Sequence, residues 1–182
     1  MKAFFLVVIG LLVFQSEEYL DWNERRKLVW SDFRAEPPVQ SAHAALTNSG
    51  INLDLRLENK EFNVKVHARF NPDKPWKRRD IENSEYLLAH EQLHFDLTEL
   101  YARKLRKAFL TRKWKENENV NAIFTELYQS NQDRLWMVQD IYDAETEHSI
   151  NREAQARWSG AVADSLEMFM EFGEPEIRFF IE

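Results

Sequence analysis

The chain contains no cysteine. Disulfides, thiolate zinc sites, iron–sulfur clusters and a cysteine nucleophile are therefore excluded. Glycine and proline are scarce, at 4 and 5 residues of 182, which removes collagen-like and low-complexity architectures. No apolar run reaches the roughly 20 residues that a membrane-spanning helix needs. The longest, from Ala3 to Phe14, has 12. Positive charge is in deficit, with 24 Lys and Arg against 31 Asp and Glu and a net charge of −7. Such a chain lacks the electrostatic footprint of a general nucleic-acid binder. Phosphate-binding glycine loops and the G-x-S-x-G nucleophile turn are also missing. What the chain does have is aromatic mass, 13 Phe, 6 Trp and 5 Tyr, within 44% hydrophobic residues. Disordered chains are poor in both, so this composition belongs to a folded core. A domain of this length buries roughly 70% of its unfolded surface, enough to stand without cross-links.

Lys2, the apolar run and the polar stretch Gln15-Ser16-Glu17-Glu18 have the order of a secretory signal peptide. We assign residues 1–16 to it, with cleavage after Gln15 or Ser16, since no A-x-A precedes Glu17. The mature chain, 17–182, is then expected to be a single exported domain, periplasmic or secreted, with no stable membrane insertion.

Residues 17–27 are highly charged and read as a short helix or an extended lead-in. Residues 28–70 read as strand-rich. From Phe62 to Phe70 the alternation is strict: Phe62, Val64, Val66, Ala68 and Phe70 face one way, Asn63, Lys65, His67 and Arg69 the other. That is a strand with one buried and one wet face. Asn48-Ser49-Gly50 and Glu58-Asn59-Lys60-Glu61 read as turns. Pro72 and Pro75 close this part, and residues 83–172 read as helical. A first helix is expected from Asn83 or Ser84 to about Trp114, with Leu87, His90, His94, Leu97, Tyr101, Leu105 and Ala108 on one inward stripe. A second is expected over Val120–Tyr142, a third over Ile150–Phe172, and a last strand over Glu176–Ile181. The expected fold is α+β, an N-terminal antiparallel sheet followed by a helical half.

His90-Glu91-Gln92-Leu93-His94 is an H-E-x-x-H motif. On a helix, positions i and i+4 share a face, so both imidazoles can reach one ion. Glu91, turned by about 100°, can reach a water on that ion. Three protein ligands and a water make a catalytic zinc site, and a nearby carboxylate can take the water's proton. The third ligand is sought in Tyr142, Asp143, Glu145, Thr146, Glu147 and His148. His148 matches the other two ligands in chemistry, and Asp143 is its rival. Tyr142 is a candidate hydrogen-bond donor to a developing oxyanion. Glu145 and Glu147 read as a solvated acidic turn. His67 reads as a surface residue, and His43 has no partner at ligand spacing.

Trp30-Ser31-Asp32-Phe33, Ala44-Ala45-Leu46-Thr47, Gly50-Ile51, His90 to Phe95, Tyr142-Asp143, Thr146, His148, Gln155 and Trp158 together resemble the DUF922 family of predicted secreted zinc-dependent proteases of bacteria. The resemblance spans roughly residues 28–160. It implies a zinc ion held by His90 and His94, with Glu91 as the base and His148 as the third ligand. Two positions depart from it: Ser149, where the family pattern expects glycine, and Leu93, where a small residue is common.

The expected function is therefore that of a zinc-dependent metallopeptidase acting on peptide or protein substrates through a zinc-activated water. The alternatives are a non-peptidase zinc hydrolase of the cell envelope and a non-catalytic envelope protein with a structural metal or histidine site.

Overall fold

The computed structural model describes residues 19–182. The signal-peptide assignment lies outside the described residues. The fold is α+β, with antiparallel sheets from the N-terminal half followed by three helices.

Strand β4, Glu61–Phe70, is the middle of the main sheet. Along one edge it pairs with β3, Ser49–Glu58, from Glu58↔Glu61 to Ser49↔Phe70. Its other edge is shared by the short β1, Leu20–Asp21, and by β6, Glu176–Phe180. The β3–β4 connection puts Asn59 and Lys60 at φ 51° and 66°. Two left-handed residues in a two-residue loop match the twist of the flanking strands. The alternation read in β4 is the alternation observed. Phe62, Val64, Val66, Ala68 and Phe70 are all buried.

The three helices are α1, Glu85–Thr111, α2, Val120–Thr146, and α3, Arg152–Met168. Each begins with a polar side chain accepting from the helix amides: Ser84 from Leu87, Asn119 from Ala122 and Asn151 from Ala154. Helix α1 lies over the inward face of β4 and is covered by α2 and α3, and the elements share one apolar core. Where α1 ends, Phe62, Phe109, Trp114, Phe124 and Phe179 form a cluster with ring centroids 4.6–6.4 Å apart.

The covering of α1 explains why a single inward stripe was too narrow an expectation. Glu99, Arg103 and Arg106 are buried as well. Arg106 bonds Glu99 and the carbonyls of Val66, Phe172 and Gly173. Arg103 bonds Glu99 and the Leu166 carbonyl. The network ties the helix to the sheet and to the 3-10 turn Met170–Phe172.

Several boundaries differ from the expectation: α2 runs on past Tyr142 to Thr146, and α3 ends at Met168, short of Phe172. Ser49 and Gly50 are paired strand residues rather than a turn, because the ladder runs on to Phe70 and the Asn71 amide donates to the Asn48 carbonyl at 3.0 Å. Before Ala45 the chain is mostly irregular, with a 3-10 turn at Trp30–Asp32. There the Asp32 carboxylate accepts from Val29 N and from the Arg26 guanidinium, local bonds that replace a strand ladder. Helix α1 stops at Thr111. Trp114 leaves the helical path to bury its ring, and its Nε1 donates to the Phe109 carbonyl at 2.9 Å. The lead-in is extended where β1 forms, and Ala45–Leu46 (β2) pairs with Trp76–Lys77 (β5) in a small second sheet. Among the described residues no helix is long and apolar enough to cross a membrane.

Candidate metal centre

His90 and His94 stand one helical turn apart on α1, facing the last turns of α2. There Asp143 Oδ1 lies 3.1 Å from His90 Nε2 and 3.2 Å from His94 Nε2. These three atoms form a buried group that could hold a metal ion. Donor atoms about 2.0–2.2 Å from a tetrahedral ion are roughly 3.3–3.5 Å apart, close to the spacings observed.

Both rings are held from behind. His90 Nδ1 is 3.0 Å from Gln155 Oε1, and His94 Nδ1 is 2.8 Å from Gln139 Oε1. An amide oxygen only accepts, so each Nδ1 carries a proton, and each Nε2 is the atom that faces Asp143, donating to it in the metal-free protein and free to bind a metal only when it bears no proton. Tyr142 stacks on His90 with centroids 4.7 Å apart and donates to the same Gln155 oxygen at 2.7 Å. Burial pushes the Tyr142 hydroxyl far above its ordinary range, with Gln155 opposing and the charges of Glu91 and Asp143 adding to the rise. It therefore stays a protonated donor.

Tyr142 is thus placed differently from the expected oxyanion donor. Its side chain is fully buried behind His90, and its hydroxyl is spent on Gln155 and, at 3.2 Å, the His90 carbonyl. It holds Gln155, which in turn holds the His90 ring. His148 also stands apart from the closest group. Its Nδ1 is 3.6 Å from Asp143 Oδ1, and its half-exposed ring meets His43 edge-on at 4.8 Å on the rim of the cleft. It is carried by three successive left-handed residues, Glu147, His148 and Ser149, at φ 50°, 50° and 77°. The His148 amide closes the end of α2 on the Asp143 carbonyl at 2.9 Å. Ser149, where the resemblance expects glycine, has the largest positive φ of the three. Ser149→Gly should stabilise the protein by about 0.5–1 kcal/mol, read from the urea midpoint.

Glu91 is only 4% exposed and lines the same cleft of about 540 Å³. Among the described residues no donor or cation pairs with its carboxylate. Thr47 Oγ1, from the opposite wall, donates to the Glu91 backbone carbonyl at 3.2 Å. The cleft therefore contains a buried carboxylate that can accept a proton beside a group that can hold an ion.

Burial alone would raise Asp143, but the hydrogen bonds and charges of His90 and His94 outweigh it and hold the carboxyl far below its usual range. Burial would lower His94, but the Asp143 bond and the charges of Glu91 and Asp143 outweigh it and raise the imidazole. The depressed Asp143 contributes stability above the ordinary carboxyl pKa of about 3.9, lost as pH falls through its folded value. The raised His94 contributes stability below about pH 6.5, lost as pH rises through its folded value. Chelator-treated protein should therefore melt higher near pH 5.5 than near pH 8.5. Metal competes with the His94 proton, so metal affinity should rise over the same interval, with proton release measurable by calorimetry in buffers of different ionisation heat.

Sequence reasoning missed Gln139 and assigned no role to Gln155. The spacing of Gln139 to Asp143, i and i+4 on α2, was the available signal. His67 lies on the sheet, away from this cleft, with Nδ1 3.6 Å from Asp21 Oδ1. No family model, no curated protein and no solved structure matches the chain.

Proposed function

We propose that this chain is a zinc-dependent metallopeptidase, as its resemblance to the predicted secreted proteases implies. The observation that carries the reading is the convergence of two Nδ1-tethered imidazoles and Asp143 on one point, beside the unpartnered Glu91 carboxylate in an open cleft. A structural zinc site closes its coordination with protein ligands and needs no base. His90, His94 and Asp143 would hold the ion, and His148 would stand next to Asp143 at the rim. Two histidines and a carboxylate are an ordinary catalytic zinc set. When bound, zinc supplies Lewis acidity, polarising a carbonyl and lowering the pKa of a water.

The chain's own residues do the rest. Gln155 and Gln139 fix the two imidazoles, and Tyr142 fixes Gln155. Glu91 takes a proton from the attacking water and returns it to the leaving amine. The cleft wall Ala44–Ser49 receives an extended chain, the shape of a peptide substrate. The proposal of export to the periplasm or medium rests on residues 1–16 alone.

The test is Glu91→Gln. About one zinc per chain should be retained while kcat/KM on a peptide library falls by roughly 10²–10⁴. Zinc-loaded wild-type protein that cleaves no peptide would sink the reading. If that protein opened amide bonds in cell-wall fragments instead, the non-peptidase hydrolase would replace it.

A further inference from the structure

Glu91, Asp140 and Asp143 line the cleft together with His43, His90, His94 and His148, and among the described residues no lysine or arginine does. Asp143 is occupied by histidines, and Glu91 is buried at the floor. Asp140 is different. It is exposed on α2 and makes no ion pair among the described residues. One helical turn before it on the same face stands Trp136, a residue 61% exposed that lines the same cleft.

A residue of that exposure is mostly outside the core. Tryptophan is the aromatic ring that best attracts a cation over its face. A carboxylate one helical turn away supplies the counter-charge. The two wall residues offer an apolar surface for a side-chain stem and a negative end for its head, the form of lysine and arginine.

We infer that Trp136 and Asp140 form a subsite for a basic side chain, and that the cleft selects cationic peptides over acidic ones. This deepens the metallopeptidase reading and rests on it for the meaning of the cleft.

The test is equilibrium binding, which does not require turnover. Zinc-loaded Glu91→Gln protein is titrated with two fluorescein-labelled alanine-based decapeptides that differ only in a central Arg or Glu, read by anisotropy. The arginine peptide should bind roughly tenfold more tightly, the combined size of an exposed cation–π contact and an exposed ion pair. The preference should shrink in 1 M salt and fall to about twofold or less in Asp140→Asn and Trp136→Ala. Equal binding of the two peptides, or a preference that survives both substitutions, would overturn the subsite. Because the readout is binding, a basic preference in a protein that cleaves nothing would keep the subsite and reject the peptidase. Cleavage without that preference would do the reverse.

Discussion

Arg106→Leu should cost about 3–5 kcal/mol of folding stability, the usual result of removing one partner of a buried ion pair. The guanidinium is 1% exposed, and each of its nitrogens is engaged. Nε and Nη2 donate to the Val66 carbonyl at 3.0 and 2.7 Å, and Nη1 donates to Phe172 O at 2.8 Å and Gly173 O at 3.2 Å. Nη1 and Nη2 also meet the two oxygens of Glu99 at 3.0 and 3.2 Å. Leucine would leave Glu99 with Arg103 alone and strip the buried carbonyls of Val66 and Phe172, and the part-buried one of Gly173, of a donor. With typical domain stabilities of about 5–15 kcal/mol, much of the total would go. Arg106→Lys keeps the charge but loses the planar fork, and should recover only part of the loss. Urea unfolding by circular dichroism measures both. A midpoint unchanged in Arg106→Leu would show that Arg106 does not hold the sheet to α1.

The second large effect concerns the ion. Asp143→Ala should weaken zinc binding by more than 100-fold, since outer-shell losses alone cost about 10–100-fold and Asp143 would be a direct ligand. His148→Ala should cost less, within the outer-shell range. Competition with a fluorescent zinc chelator at pH 7.5 gives both values. The reverse order, with His148 the costlier loss, would return the third-ligand role to the histidine that the family resemblance favours. Circular dichroism separates ligand loss from unfolding, because Asp143 also links α1 to α2.

How far the sequence foretells this molecule depends on whether a signal is local. The strand Glu61–Phe70 was legible because side-chain period two is a property of the strand itself, and every inward residue is buried. The motif His90–His94 was legible as a shared helical face for the same reason. The choice between Asp143 and His148 was not local. It turns on where α2 ends and on three left-handed residues that swing His148 towards the rim. No residue type announces such a run, since none of the three is glycine. Gln139 was hidden for another reason: a glutamine on a helix is usually a surface residue. Only the docking of α2 on α1 makes it a tether for His94. The buried Glu99, Arg103 and Arg106 escaped because a charged residue reads as solvated until the elements around it are known.

The order in which the main sheet can be completed has a cost during synthesis. Lys65 of β4 and Glu176 of β6 face each other across 111 positions of chain. At roughly 5–20 residues per second, β4 is translated about 5–20 s before the strand that covers this part of its edge. Through that interval the edge amides and carbonyls are open to any passing strand, and the place of Phe179 among the rings is vacant. Helix α1 is made early but cannot complete the Arg106 bonds to Phe172 and Gly173 until the same late segment arrives. The aggregation hazard of the nascent chain is therefore concentrated in the time before the last strand is added.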